Sequence, residues 1–269
     1  MRNLIYQYYD GNIKEAHKYS SRLMKAYADK CDADYLFEEN PRWIKGLGKY
    51  SPHYGVFKII FDDAFDDYDD ILYLDVDIFP VDGVEENIFD AAPGSFGWCT
   101  EPHQPDIRYA EKKFDIRGEN EEKWSSMVKS LYGTELPRTI DNKLMVYNSG
   151  VVLWTKAGRE TARKNLPDFK HYINMCSMHG LPPFYQGDQN YLLAVASAAK
   201  LNWVELDNGW NSYLHYQGPG NPRPVNDMRD RNTKFVHVQL SSADEYSSDT
   251  IHTIVNNPPT VWNGKLPKV

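Results

Sequence analysis

Asp75 and Asp77 stand one residue apart, directly behind the apolar run Ile71-Leu72-Tyr73-Leu74. An uninterrupted apolar run reads as a strand buried on both faces of a parallel sheet, and the two carboxylates mark its end. Two nearby anions repel, and their side chains converge only where the chain leaves the extended conformation. A hard divalent cation relieves that repulsion and holds phosphate oxygens as well, so the pair predicts a Mg2+ or Mn2+ site. Solvated turn residues are the competing reading. A third acid, Asp188, follows Phe184-Tyr185-Gln186-Gly187 and precedes Gln189, where its simplest role is to cap a helix.

The elements that must position these groups follow from periodicity. Leu4 to Tyr8 reads as a strand ending at Asp10-Gly11. Asn12 is the expected cap of a helix in which Ile13, Ala16, Tyr19, Leu23 and Ala26 recur on one face, up to about Lys30. Tyr35 to Phe37 is a second short strand, residues 41–52 a loop, and His53 to Phe65 a second helical stretch. Strand, helix, strand, helix, strand opens an α/β domain, and ligands bind beyond the carboxyl ends of such strands. Residues 101–143 are charged and interrupted by Pro and Gly, and predict a helical insertion or lid, mostly solvated. Met145 to Trp154 is apolar but broken at Asn148-Ser149-Gly150. Asp188 to Ala199 has helical spacing, Asn202 to Leu206 and Phe235 to Leu240 read as strands, and Gly218 to Pro224 is a Pro/Gly loop. One domain over 1–245 with a surface-packed tail over 246–269 is the expected organisation.

The chain has 269 residues, 38 acidic against 30 basic, for a net charge of -8. An acidic chain disfavours nucleic-acid partners. Its 7 Trp, 19 Tyr and 11 Phe exclude disorder without telling core from ligand face. Cys31, Cys99 and Cys176 are far apart and odd in number, against a disulfide framework or zinc site. No signal-like or membrane-spanning apolar stretch is evident, which predicts a cytoplasmic protein with no transmembrane segment.

Four separated segments together resemble the GT-A-fold glycosyltransferases, most closely the retaining family 8 group that includes glycogenin and lipooligosaccharide galactosyltransferases. Phe57-Lys58-Ile59-Ile60 ahead of Ile71 to Asp77 is similar to the family's basic residue and DxD motif. Met145-Val146-Tyr147-Asn148-Ser149-Gly150-Val151 resembles its Asn-Ser/Ala-Gly-Val segment, and Gly187-Asp188-Gln189-Asn190 its Asp-Gln helix start. Phe235-Val236-His237 resembles the strand bearing its histidine ligand. The segment after it, Val238-Gln239-Leu240-Ser241-Ser242, departs from the family's His-x-x-Gly-x-x-Lys-Pro-Trp.

The resemblance implies a single-domain GT-A (Rossmann-like) α/β fold, with a mostly parallel central sheet flanked by helices. It implies metal-dependent transfer of a hexose or related sugar from a nucleotide sugar, with UDP preferred, to an acceptor hydroxyl with retention. Asp75, Asp77 and His237 would ligate Mn2+ or Mg2+. Asp188, Gln189 and Lys58 would act at the reacting centre, with Lys58 also on the donor phosphates. Tyr8, Tyr9 and Asp10 would hold the base, where a ring can stack and a carboxylate accept a base N–H. Val76, Asn148, Ser149 and Gly150 would line the donor sugar. Tyr185, Trp210 and Tyr213 are acceptor-side candidates, with core packing as the rival role for such rings. Two other functions compete. One is a haloacid-dehalogenase-like phosphatase using Asp75 as nucleophile and Asp77 as acid/base, although that pattern belongs to a first strand. The other is a non-catalytic nucleotide-sugar binding protein.

Overall fold

The computed structural model describes residues 1–91, 94–110, 116–216, 226–240 and 247–256. The expected Gly218–Pro224 loop and the chain beyond residue 256 lie outside them.

The first half is the expected alternation: β1 (Asn3–Tyr9), α1 (Glu15–Lys30), β2 (Asp34–Glu39), the one-turn α2 (Lys58–Phe61) between short 3-10 turns, and β3 (Asp70–Leu74). Lys14, not Asn12, is the N-cap of α1. β4 (Ile78–Pro80), β5 (Phe96–Thr100), α3 (Gln104–Ala110) and α4 (Gly118–Tyr132) follow. Then come β6 (Tyr147–Thr155), α5 (Lys156–Asn165), α6 (Phe169–Met178), α7 (Asp188–Ala198) and β7 (Trp203–Glu205). The last elements are β8 (Ser212–Tyr216), β9 (Asn226–Asp227), β10 (Phe235–Leu240) and α8 (Ser248–Asn256).

A six-stranded sheet of order β2-β1-β3-β6-β5-β7 forms the centre, and β4-β10-β8-β9 forms a smaller second sheet. β1 pairs in parallel with β2 and β3, and β5 with β7, while β6 runs antiparallel to both β3 and β5. The reversal of β6 matters most. An antiparallel strand brings its start to its neighbour's end, so Val151 pairs with Leu74 and Gly150 lies beside Asp75, whose N–H donates to Gly150 O at 2.9 Å.

Asn148-Ser149-Gly150 does not break this strand, contrary to the expectation from sequence. All three lie within β6, buried, opposite a register shift between Trp98 and Cys99 of β5. Such bulges re-aim side chains, and this one faces the strand end that carries the aspartates. The insertion contains the helices α3 and α4, and one face of α4 is core: Trp124, Met127 and Val128 form a buried stripe at helical spacing, and Trp124 Nε1 donates to Tyr172 Oη on α6 at 3.0 Å. α8 buries Ile251, Ile254 and Val255 in a cluster with Val236, Val238 and Leu214 of the second sheet. The aromatic excess is mainly core: Tyr54, Phe57, Phe169 and Tyr191 pack as one group of rings with centroids 4.9 to 5.8 Å apart.

Candidate active site

A cleft of about 610 Å3 opens where β1, β3 and β6 meet the start of α7 and the second sheet. Its lining includes Tyr8, Tyr9, Asp10, Asp75, Val76, Asp77, Asn148, Ser149, Asp188, Gln189 and His237. Eleven of the residues singled out from sequence thus converge, although they span the chain from residue 8 to residue 237.

Register explains the convergence. β10 pairs antiparallel with β4, placing His237 opposite Ile78, and Val238 N donates to Asp77 O at 2.9 Å. His237 Nε2 then lies 3.2 Å from Asp77 Oδ1. One ligand atom from each of Asp75, Asp77 and His237 falls within 4.8 Å of the others, a separation that a single divalent cation can span. Gly150 keeps this corner open, since a Cβ there would stand 2.8 Å from His237 Cε1 and 2.9 Å from Asp75 Oδ2. Two hard carboxylates and one imidazole, with an open face toward the cleft, fit a divalent cation.

The electrostatics show a cost that the protein compensates only in part. Burial and the Asp77 charge push the Asp75 carboxyl up to about 7, against the stabilising pull of His237 and of Tyr73 Oη, which donates to Asp75 Oδ1 at 2.6 Å. Burial alone would lower His237, but Asp77, Asp75 and Glu101 outweigh it and raise the imidazole. Burial also raises Asp188, opposed by the Ser149 hydroxyl, which donates to its Oδ2 at 2.7 Å. Asp188 is the first residue of α7 and Gly187 its N-cap, so this acid is not the cap expected from sequence but lies at the positive end of the helix. Among the described lining residues there are four aspartates and three histidines, His17, His53 and His237, but no Lys or Arg.

Several expected residues stand elsewhere. Lys58 Nζ donates to both carboxylate oxygens of Glu38 at 2.6 and 2.7 Å, lies 3.8 Å from Asp62, and does not line the cleft. Tyr185 is buried, with its hydroxyl donating to Glu121 Oε1 at 2.8 Å, and its neighbour Phe184 faces the cleft instead. Trp210 is buried against Tyr27 and Phe235. Tyr213 lies beneath the site, its ring 4.7 Å from that of His237. Tyr8 Oη donates to Pro52 O at 2.5 Å, the Tyr9 ring lies 4.1 Å from that of His17, and Asp10 accepts from Arg42 N at 3.0 Å.

Tyr73, His53, Glu101 and Asn211 are among the site residues that escaped the sequence reading. Tyr73 was accessible in principle, because residues two apart on a strand share a face. His53 Nδ1 stands 4.0 Å from Asp188 Oδ1 across the cleft, a juxtaposition with no local signal. Glu101 Oε1 accepts from Asn148 Nδ2 at 3.0 Å, and Asn211 Oδ1 lies 3.1 Å from His237 Nδ1.

This sheet order, with a reversed β6 and a carboxylate pair after β3, is the GT-A glycosyltransferase fold. The chain is similar to the solved structure of a glycosyltransferase involved in glycosylation of the major capsid of PBCV-1, with TM-score 0.52 and 12% identity over 95% of this chain and 100% of that one. It also matches the galactosyltransferase LgtC in complex with donor and acceptor sugar analogs, with TM-score 0.47 and 13% identity over 98% of this chain and 100% of that chain. A further match is mouse xyloside xylosyltransferase 1, with TM-score 0.42 and 15% identity over 88% of this chain and 96% of that chain. No family model and no curated sequence matches the chain.

Proposed function

We propose that this protein is a divalent-metal-dependent glycosyltransferase, moving a hexose or related sugar from a nucleotide sugar, with UDP as the nucleotide, to an acceptor hydroxyl with retention. One observation carries the reading: Asp75, Asp77 and His237 converge beside a cleft whose described lining has no Lys or Arg. A diphosphate leaving group gains negative charge as its bond to the sugar breaks, and four aspartates alone would oppose it. A divalent ion on Asp75, Asp77 and His237, Mn2+ or Mg2+, supplies the missing positive charge as a Lewis acid.

The remaining roles follow from position. Tyr8, Tyr9 and Asp10, at the end of β1, form the base pocket, and Asp10 also borders an adjoining groove lined by Arg42 and Lys45. Val76, Asn148, Ser149 and Gly150 border the donor sugar. Asp188, held by Ser149, and Gln189 face the anomeric carbon, where a carboxylate stabilises developing oxocarbenium charge. Lys58, locked on Glu38, acts through the shape of the β2 end rather than on phosphate. Tyr185 and Trp210 serve the core, and Phe184 takes the acceptor-side position. The three cysteines are buried and unbridged, in keeping with a cytoplasmic setting. No helix among the described residues is long and apolar enough to cross a membrane.

The test is donor hydrolysis and transfer with a panel of nucleotide sugars and Mn2+. Release of UDP from one UDP-sugar, abolished by chelator, is expected, and product NMR should show the donor's anomeric configuration. Turnover indifferent to chelator would remove the metal, and an inverted product would remove retention. Tight donor binding with no turnover on any acceptor would leave a binding protein, and inorganic phosphate released from small phosphoesters would leave a phosphatase.

A further inference from the structure

Both ring nitrogens of His237 face an oxygen: Nε2 faces Asp77 Oδ1 at 3.2 Å, and Nδ1 faces Asn211 Oδ1 at 3.1 Å. Which nitrogen carries the proton follows from a chain of hydrogen bonds that starts at the backbone. Gly150 N donates to Asn148 Oδ1 over 2.8 Å. A backbone N–H can only donate, so the atom of Asn148 that faces it must be the oxygen. The opposite end agrees, because Asn148 Nδ2 donates to Glu101 Oε1 at 3.0 Å and to Tyr213 Oη at 3.4 Å. Asn148 Oδ1 also accepts from Asn211 Nδ2 at 2.8 Å. That turns the oxygen of Asn211 away from Asn148 and onto His237 Nδ1. An amide oxygen accepts and never donates, so Nδ1 bears the hydrogen. Any hydrogen that the Asp77 carboxylate draws to Nε2 is then the one a cation would displace, leaving the Nε2 lone pair toward the space bounded by Asp75.

Flipping either amide would set two donors or two acceptors against each other. Glu101, Asn148, Asn211 and His237 are each no more than 7% exposed, so water offers them little alternative.

We infer that Asn211 is a positioning residue that holds His237 in its Nδ1–H tautomer, so that Nε2 is delivered as the third ligand to a divalent cation on Asp75 and Asp77. This rests on the metal-dependent reading above and deepens it. Gly150 N–H and Glu101 act through Asn148 to orient Asn211. Without the Asn211 oxygen, the ring is free to carry its hydrogen on Nε2, where it bonds Asp77 and closes the corner to a cation. Outer partners of this kind tune metal ligands in general.

The experiment reads two quantities on the full chain without any sugar donor. Long-range 1H–15N spectra of the metal-free protein at alkaline pH report the tautomer of His237, and calorimetry reports Mn2+ affinity. The wild type should show the Nδ1–H ring. Asn211→Leu should move the ring to Nε2–H and weaken Mn2+ binding about 10–100-fold. Asn211→Asp, which keeps an oxygen against Nδ1 while losing the bond to Asn148 Oδ1, should retain the Nδ1–H ring. An Nε2–H ring in the wild type overturns the inference even if the leucine variant does not fold. So does an Asn211→Leu protein that keeps the Nδ1–H ring or binds Mn2+ as tightly as wild type. Absent glycosyl transfer with an Nδ1–H ring counts against the proposed activity alone. An active transferase with an Nε2–H ring counts against Asn211 alone.

Discussion

Between α3 and α4, the buried Glu121 receives Arg108 Nη1 at 3.1 Å and the Tyr185 hydroxyl at 2.8 Å, both on the same oxygen. At the end of β3, Asp75 receives a tyrosine hydroxyl too, from Tyr73, but its charged neighbours among the described residues are Asp77, His237 and Asp188, with no guanidinium or ammonium. The two places solve one problem, an anion out of water, in opposite ways. Where the carboxylate only joins helices, the chain provides its own cation. Where the cleft begins, the chain leaves the charge to be met from outside. A half-buried acid with no guanidinium or ammonium partner among the described residues is therefore the more informative of the two, because its cost is tolerated only where something else binds.

That contrast can be broken experimentally. The largest effect belongs to the self-sufficient pair: Arg108→Met strands the Glu121 carboxylate and should cost about 3–5 kcal/mol of stability in urea unfolding. Adding Glu121→Leu should restore most of it. Asp77→Ala should lower the rate of donor hydrolysis by about 10²–10³-fold, the scale of losing an electrostatic stabiliser, with little change in urea midpoint. A comparable loss of stability would mean that Asp77 is structural, like Glu121. Metal should stabilise the folded chain by about 2.7 kcal/mol when Mn2+ is present at a hundredfold excess over its Kd, read as an upward shift of the melting temperature. In the metal-free protein, Asp75→Asn should raise stability by on the order of 1 kcal/mol, because it removes a like charge from a functional corner. The smallest effect separates Lys58 from the reacting centre: Lys58→Met should cost about 1 kcal/mol through its bond to Glu38 and leave hydrolysis within about tenfold. A thousandfold loss would return Lys58 to the donor phosphates.

The same contrast shows which features local sequence can carry. The apolar run before Asp75, the Asp188 helix start and the His237 strand are patterns a few residues long, and each proved to be the element expected. Their meeting required the reversal of β6, which periodicity does not encode. Tyr185 and Trp210 show a second limit. A large ring beside a site motif is placed by which way its element faces, and here Phe184 took the cleft while Tyr185 turned to Glu121. The α4 stripe was masked by its charges, since an amphipathic helix with many Glu and Lys reads as solvated until its partner α6 is known. Asn211 and Glu101 carried no signal at all, because their role lies in hydrogen bonds to residues 26 and 47 positions away.

The placement of His237 on β10 has a consequence for assembly. Asp75 ends a strand of the central sheet, whereas His237 belongs to the second sheet and lies 162 positions later (237 minus 75). Contacts so distant in sequence form late, after the entropy of closing the intervening chain has been met. A nascent chain has its carboxylate pair long before β10 is synthesised, and in that interval it lacks the third ligand. If the proposed metal site is right, full coordination is tied to completion of the second sheet, and an incompletely folded chain would bind the ion weakly.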